Sequence, residues 1–238
     1  MTKKNMYLCD VETAGTLENP LVYDFGGHPL SINGEVIGEN ESTVIDEVYY
    51  GMKDEMANAY YAKKIPEYEE KLWNGEIDAK NILALRKQIH TIFKRYNIKY
   101  VCAHNAKFDV KALNNTIRQV TNGRIKYFFP YGIEVWDTLK MARQLLSKKP
   151  SYIKFCKENG YMTNHKIPRP RLTAEVIYRF ITKDLSFNED HSGFDDVKIE
   201  TEIYKYLVKQ HKKCNKTLYH APSAYDVPAT EHIYTKNV

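Results

Sequence analysis

Short apolar segments alternate with amphipathic segments along this chain, and that alternation limits the folds open to it. Buried strands are predicted at residues 6–9, 21–25, 99–103 and 134–136. Apolar residues recur at helical spacing in residues 82–96, 110–120, 139–146 and 199–207. Strands that alternate with helices predict a layered α/β fold. A length of 238 residues suits one such domain.

The local signals between these elements are weaker. Gly26-Gly27 is expected to end the second strand, and residues 29–37 are expected to form a third. Residues 52–74 are charged and rich in tyrosine, and they predict a helix interrupted at Pro66. Asp78 is expected to cap the helix that follows it.

Charge is distributed unevenly along the chain, whose formal net charge is +5. Residues 41–80 carry ten acidic and five basic residues. Residues 140–171 carry nine basic residues and one acidic residue, and residues 198–216 carry six lysines and two glutamates. The segregation favours an anionic partner, and the 19 tyrosines offer rings on which bases can stack. The alternative is a Lys- and Tyr-rich composition with charges on solvated faces.

Other compositional features exclude several classes of protein. No segment reaches the ~20 apolar residues of a membrane helix, so no membrane partner is expected. The first apolar segment ends at Asp10 and is too short for the core of a signal peptide. The four cysteines are scattered without a C-x-x-C pair, which indicates reduced thiols and a cytoplasmic protein.

Asp10 and Glu12 stand at the end of the first strand. Residues i and i+2 of a strand point to the same face, so both carboxylates are expected to converge. The pair alone is a weak signal, because about one Asp-x-Glu is expected by chance at this acidic content. The rest of the chain gives it context.

Further acids and a histidine lie where strands end and helices begin. Asp109 follows the strand at 99–103, while His191 and Asp196 flank the start of the last helix. Such positions collect on one rim of an α/β sheet. Clustered carboxylates repel one another unless cations lie between them, and oxygen ligands favour Mg²⁺ or Mn²⁺ over zinc.

These segments resemble the motifs of the DEDD 3′–5′ exonucleases. YLCDVETAG (residues 7–15) is similar to the first motif and HNAKFD (residues 104–109) to the second. His191 with Asp196 five residues later resembles the third motif in its histidine version, DEDDh. The order is that of the family, and the resemblance spans residues 6–210. The motifs look particularly like versions carried by phages and Gram-positive bacteria, and this resemblance implies a bacterial or phage-infected host cell.

The resemblance implies a fold and a mechanism. The fold is an RNase H-like three-layer α/β fold, with a mixed five-stranded sheet flanked by helices. Two divalent ions, Mg²⁺ or Mn²⁺, would be held by Asp10, Glu12, Asp109 and Asp196, which are catalytic with His191 as general base. The His-to-Asp spacing selects Asp196, and a role for Asp195 on a metal-bound water stays open.

The implied activity is hydrolysis at single-stranded nucleic-acid 3′ ends, DNA first, with release of nucleoside 5′-monophosphates. RNA-end trimming or a short-oligonucleotide exoribonuclease is the alternative within the class. A non-catalytic nucleic-acid-binding module is the alternative outside it. Residues 1–212 would form the exonuclease domain, with inserts near 38–78 and 148–185. Residues 213–238 would form a tail that could dock a replication partner.

Substrate contacts are expected from five residues near the first two motifs: Thr13, Ala14, His104, Asn105 and Phe108. Three of them have structural alternatives, namely turn capping for Thr13, a hydrogen-bonded structural role for His104 and a core position for Phe108. Asp137 is expected to cap its helix. In the basic insert, six residues are expected to track the substrate backbone: Lys148, Lys149, Lys154, Lys166, Arg169 and Arg171.

Overall fold

The computed structural model describes residues 4–60, 62–189 and 191–219. Its strands are β1 Asn5–Gly15, β2 Pro20–Ser31, β3 Glu41–Ile45, β4 Asp78–Lys80, β5 Ile98–Ala103, β6 Glu134–Asp137 and β7 Thr217–Tyr219. Its helices are α1 Asp46–Tyr49, α2 Lys53–Ala57, α3 Ile65–Trp73, α4 Ile82–Arg95, α5 Ala106–Val120, α6 Thr138–Leu145, α7 Pro150–Glu158, α8 Ala174–Thr182 and α9 Gly193–Val208. A short 3₁₀ helix, Ala62–Lys64, precedes α3.

The strands form one mixed sheet in the order β4-β3-β2-β1-β5-β6-β7. The central strand β1 is antiparallel to β2 and parallel to β5, and β5 is parallel to β6. This confirms the predicted α/β fold with a mixed sheet. The sheet of the described chain has seven strands and not the expected five, because the three-residue strands β4 and β7 add to its two edges.

Successive side chains of β1 point to opposite faces of the sheet, and both faces carry apolar residues. Helices therefore cover both faces and form two cores. Tyr7 and Cys9 pack into one core with α4 and α5. Met6 and Leu8 pack into the other core with α6, α7, α8 and α9. This is the three-layer arrangement expected from the resemblance. No helix in the described ranges combines the length and the apolar character needed to cross a membrane.

The expected break at Gly26-Gly27 is wrong, because β2 runs through both glycines. A Cβ built on Gly26 would lie 2.2 Å from the carbonyl carbon of Gly193, at the start of α9. A Cβ on Gly27 would lie 2.4 Å from the ring of Tyr7. The glycines therefore serve a close approach of chain segments rather than a turn.

The expected strand at 29–37 is also wrong. Residues 29–31 end β2, and beyond them only an isolated bridge joins Leu30 to Val36. The next strand is β3, in which the polar residues Glu41 and Thr43 are buried. Glu41 accepts a hydrogen bond from Lys80 Nζ at 2.6 Å, so the strand is stabilised by a polar network that hydrophobic periodicity does not reveal.

Two expected helix signals act at other positions. Pro66 lies in the first turn of α3, where its missing N–H costs nothing, so it begins a helix instead of interrupting one. Asp78 belongs to β4, and α4 is capped by Asn81, whose side chain accepts the N–H of Ala84 at 2.8 Å.

The predicted cap at Asp137 is confirmed. Its carboxylate accepts the N–H groups of Leu139 at 2.8 Å and Lys140 at 3.3 Å. It also accepts the N–H of Asn105 at 3.1 Å, which ties the start of α6 to the end of β5.

The predicted tail contributes to the sheet. β7 pairs antiparallel with β6, and Thr217 Oγ1 donates to a carboxylate oxygen of Glu134 at 2.5 Å. Residues 220–238 lie outside the described residues, and so does most of the segment expected to dock a partner.

We expect Gly26→Ala to destabilise the fold strongly, because its methyl group would overlap the backbone of Gly193. Overpacking typically costs about 1–3 kcal/mol, and a backbone obstacle places this variant at or above the upper end. Gly75→Ala is the matched control, since nothing lies within 4 Å of its Cβ and only its positive φ is strained. Urea unfolding measures both, and equal losses would contradict the close-approach interpretation.

Candidate active site

A cavity of about 1160 Å³ opens beside the middle of β1 and the carboxyl end of β5, at the starts of α5 and α9. Because β1 continues to Gly15, Asp10 and Glu12 lie within the strand, and the expectation that they stand at its end is wrong. The five predicted catalytic residues, Asp10, Glu12, Asp109, His191 and Asp196, all line it. Carboxyl ends of strands are the usual ligand-binding edge of an α/β sheet. The fold therefore brings residues from three distant parts of the sequence to one place.

Glu12, His191 and Asp196 form a group of potential metal ligands within this cavity. One potential ligand atom from each lies within 4.8 Å of the other two, so the three could hold a metal ion. Asp10 and Asp109 line the same cavity but do not belong to this group among the described residues.

Strand geometry presents the first two acids. Asp10 pairs with Gly26, and Glu12 pairs with Asp24, so both carboxylates point to one face of β1. The pairing with β2 shifts between Glu12 and Thr13. Such irregularities are common next to active sites, where they redirect the strand.

Asp109 lies in the first turn of α5 and is only 3% exposed. The helix begins directly after Asn105, whose left-handed backbone (φ 73°) makes the sharp turn out of β5. Asn tolerates this conformation better than most residues. The turn brings Asp109 to the cavity that Asp10 and Val11 of β1 also line.

Glu200 is a further carboxylate of the cavity that the motifs did not identify. It is 3% exposed and lines the same cavity. Its two oxygens accept the backbone N–H of His104 at 3.0 and 3.1 Å, which holds the end of β5 against α9. Its signal in the sequence is the spacing of four from Asp196, which places both acids on one helix face. We call Asp10, Glu12, Asp109, Asp196 and Glu200 the acid cluster.

Burial and mutual repulsion disfavour the charged forms of these carboxylates. Burial, then Asp196, raises the pKa of Glu12 to about 9. Burial raises the pKa of Asp109 to about 8. Burial raises the pKa values of Asp10 and Glu200 well above their usual range, with their acidic neighbours adding to the shift. Without a cation, the cluster therefore retains protons at neutral pH.

Hydrogen bonds from Tyr68 and Gly193 to Asp24, which we call the Asp24 strut, hold the loop that carries His191. Asp24 Oδ2 accepts the hydroxyl of Tyr68 at 2.6 Å and the N–H of Gly193 at 2.8 Å. Lys64 Nζ donates to the carbonyl of His191 at 3.4 Å, and His191 itself adopts a positive φ of 55°. The insert expected near residues 38–78 thus contributes α3 and the preceding turn as a support for the histidine loop.

The predicted substrate residues divide into two groups. Asn105 and Phe108 line the cavity, and Phe108 is half-buried on its wall instead of packing in either core. Thr13 and Ala14 lie on β1 beyond the residues that line the described cavity. Their contacts with substrate stay predictions.

His104 lines the cavity with both ring nitrogens engaged by the protein. Nδ1 lies 2.9 Å from Thr138 Oγ1, and Nε2 lies 2.7 Å from the carbonyl oxygen of Leu172. Burial lowers its pKa, so the ring is neutral near pH 7. These contacts correspond to the structural alternative for this residue.

Asp195 points away from the acid cluster, as helix geometry predicts. Its carboxylate accepts Ser192 Oγ at 2.8 Å and Lys198 Nζ at 2.7 Å. Burial opposes these hydrogen bonds, but the bonds dominate and lower its pKa. Asp195 is not among the described residues that line the cavity.

The six basic residues of the insert do not share one surface. Lys148, Arg169 and Arg171 line the cavity. Lys149 donates to Tyr206 and Gln210 instead, and Lys154 pairs with Glu158 at 3.7 Å. Lys166 is exposed, and it is absent from the described lining of the cavity.

Comparison with known proteins gives a likeness of fold. No model of a known protein family matches the chain, and no curated protein matches it. Among solved structures, Escherichia coli Exonuclease I in complex with a dA16 oligonucleotide is 18% identical, with a TM-score of 0.54 over 87% of this chain. The complex of that enzyme with a 5cy-dT13 oligonucleotide gives 17% identity and a TM-score of 0.55 over 89% of the chain.

The nuclease domain of 3′hExo, a DEDDh family member bound to rAMP, is 11% identical. Its TM-score is 0.53, and the match covers 90% of this chain and 97% of that domain. The chain spans only 41% of the length of Exonuclease I. The protein therefore has the RNase H-like fold of the DEDDh exonuclease structures.

We expect the metal-free protein to lose stability as the pH rises from about 5 to about 9. The folded pKa values of Glu12 (about 9) and Asp109 (about 8) exceed the ordinary values of 4.5 and 3.8, so the folded state binds more protons than the unfolded state in this window. Thermal unfolding in chelator at pH 5.5 and 8.5 should show this loss, and Glu12→Gln or Asp109→Asn should reduce it. Glu70→Gln, at an exposed site, is the control, and an unchanged pH dependence in both cluster variants would contradict the prediction.

Tyr68→Phe should loosen the histidine loop. It removes one of the two hydrogen bonds to the buried Asp24, at a cost of about 1–3 kcal/mol for an acceptor left under-satisfied. Hydrogen exchange at the Gly193 amide should become faster, since the remaining bond loses its anchored acceptor. Tyr50→Phe, with a half-exposed ring, is the control. Unchanged exchange in Tyr68→Phe would show that the Asp24 strut does not hold the loop.

Proposed function

We propose that the chain is a metal-dependent 3′–5′ exonuclease of the DEDDh family. It would hydrolyse phosphodiester bonds at single-stranded 3′ ends and release nucleoside 5′-monophosphates. The observation that carries the proposal is the convergence of Asp10, Glu12, Asp109, Asp196 and His191 on one cavity. Their sequence order and the fold of the chain support the same activity. A non-catalytic binding module would have no need for this complete set of buried acids.

The chemistry of the acid cluster fits divalent cations. The raised pKa values mean that nearby positive charge does not compensate the burial of the ionised carboxylates, and a bound cation would supply more of it. Carboxylate oxygens are hard ligands that suit Mg²⁺ or Mn²⁺. Asp10, Glu12, Asp109 and Asp196 would hold two such ions. A pair of ions activates water and stabilises the leaving oxygen in phosphodiester hydrolysis.

His191 is proposed as the general base that takes the proton from the attacking water. Its ring nitrogen lies within 4.8 Å of carboxylate oxygens of Glu12 and Asp196, so it reaches the reacting centre. The Asp24 strut and the contact from Lys64 keep its loop over the cavity. An imidazole titrates near neutral pH and is suited to this transfer.

DNA is proposed as the first substrate, with RNA-end trimming as the second. Complexes of Exonuclease I with DNA oligonucleotides support the former, and the complex of 3′hExo with rAMP supports the latter. The test is degradation of 3′- and 5′-labelled single-stranded DNA and RNA with Mg²⁺ or Mn²⁺. Release of nucleoside 5′-monophosphates from the 3′ end supports the proposal, and release from the 5′ end or internal cleavage contradicts it.

The cellular setting is part of the proposal. We infer a cytoplasmic enzyme of a bacterium or a phage-infected cell, with a role in DNA replication or repair. The domain would extend to residue 212 and the tail from 213 to 238, with the tail docking a replication partner. Because β7 lies inside that tail and joins the sheet, the docking segment would begin after Tyr219.

Each of Asp10→Ala, Glu12→Ala, Asp109→Ala and Asp196→Ala should abolish nuclease activity without unfolding the chain. Removing one repelling carboxylate should slightly stabilise the metal-free form. Metal should raise the melting temperature of the wild type more than that of these variants. Asp195→Ala is the matched control, and full activity in any of the four variants would remove that residue from the site.

His191→Ala should lower the hydrolysis rate by about 10²–10⁴, the usual contribution of a positioned general base. The binding of metal and of substrate should change little, because the ions are assigned to the four carboxylates. A large loss of metal binding would instead assign His191 to the ligand set with Glu12 and Asp196. Steady-state kinetics at saturating Mg²⁺ and substrate, together with thermal shifts by metal, separate the two effects. A rate within about threefold of wild type would be too small a loss for a general base.

A further inference from the structure

Basic side chains line the same cavity as the acid cluster. Arg143 at the end of α6, Lys148, His165, Arg169 and Arg171 all face it. All five are exposed to solvent. The cavity thus carries separate positive and negative groups, and an anionic ligand could contact both a metal-loaded acid cluster and these cations.

Residues 161–171, which we call the basic arm, form a hydrogen-bonded loop. The N–H of Thr163 donates to the carbonyl of Arg169 at 2.8 Å, and the N–H of Arg171 donates to the carbonyl of Tyr161 at 2.9 Å. The N–H of Arg169 also donates to Thr163 Oγ1 at 3.0 Å. These bonds fix the backbone from which Arg169 and Arg171 project.

The basic arm is anchored to the elements that build the acid cluster. The carbonyl of Leu172, directly after the arm, lies 2.7 Å from His104 Nε2. The N–H of His104 in turn donates to Glu200. At the same end of the arm, the carbonyl of Arg171 accepts a hydrogen bond from the hydroxyl of Tyr152 in α7 at 2.6 Å. The arm is therefore positioned relative to the acids by direct hydrogen bonds.

The cations of this wall lack acidic partners within the described ranges. Arg143, Lys148, Arg169 and Arg171 form no ion pair with any carboxylate there, whereas Lys154 on the outer face of the same insert pairs with Glu158. Four unpaired cations around one cavity suit a ligand with several phosphates. At about 1160 Å³, the cavity also exceeds the usual ~300–1,000 Å³ of small-molecule sites.

We propose that the basic arm, with Arg143 and Lys148, is a binding track for the phosphate backbone of a single strand. The protein would then bind polynucleotides of several residues more tightly than dinucleotides, because a longer strand places more phosphates along the cations that line the cavity. This inference rests on the proposed exonuclease function for the position of the 3′ end, but the track binds the strand whether or not it is hydrolysed.

The test compares two double variants that remove equal charge from the same insert. Arg169→Gln/Arg171→Gln changes the basic arm, and Lys154→Gln/Lys157→Gln changes α7 away from the cavity. Binding of fluorescein-labelled dT2 and dT12 is measured by anisotropy without added metal, over a range of salt. Hydrolysis of both strands is measured with Mg²⁺, and circular dichroism checks the fold of each variant.

The arm variant should bind dT12 about tenfold or more weakly than the wild type. Its log K should also fall less steeply with log salt, by roughly 1.4 for two lost phosphate contacts at about 0.7 each. Its kcat/KM for dT2 should fall much less than its affinity for dT12, since a dinucleotide offers a single internucleotide phosphate, and the α7 variant should match the wild type throughout.

Equal losses for dT2 and dT12 would overturn the track, and so would equal losses in the two double variants. If wild type binds dT12 with the expected dependence on the arm but hydrolyses nothing, the exonuclease proposal fails while the track stands. If hydrolysis proceeds and the arm variant binds dT12 like wild type, the track fails while the exonuclease proposal stands.

Discussion

The backbone contact between Gly26 of β2 and Gly193 of α9 is the constraint on which the site depends. A Cβ on either glycine would come within 3 Å of the other segment's backbone, so neither position accepts a side chain without a shift. The contact seats the start of α9 directly on the sheet. Asp196 and Glu200 follow within two turns and therefore lie beside Asp10 and Glu12 of the adjacent strand. The hydrogen bond from the Gly193 N–H to Asp24 of β2 holds the start of α9 at the same position.

This tight seating has an electrostatic cost. Five carboxylates are brought into one largely buried region, where burial and repulsion raise the pKa values of four of them. Unfolding would relieve the repulsion, so the acids oppose the packing that assembles them. The hydrogen bonds of Asp24 and Glu200 to backbone N–H groups offset part of this cost, and a bound cation would offset more.

Much of the fold and most of the acid cluster could be predicted from sequence, because they depend on periodic or local signals. The strands β1, β5 and β6 are apolar, and the acids follow them at fixed spacing. β3 was missed because its buried Glu41 is paired with Lys80, so burial there does not require an apolar residue. Gly26 was misread because a close approach to Gly193 is a long-range property. Glu200 was missed because its sequence position, one turn after Asp196, does not distinguish a buried glutamate from one on the solvent-exposed face of a helix.

The pairing of β1 with β5 and the docking of α9 also determine when the site can form. Leu8 pairs with Cys102, and Gly26 meets Gly193, so the chain must close loops of roughly 90 to 170 residues. Long closures of this kind slow folding, since their entropy is lost before contacts compensate. During synthesis, Asp10, Glu12 and Asp109 leave the ribosome long before Asp196 and His191. A nascent chain therefore lacks the complete acid site until α9 has emerged.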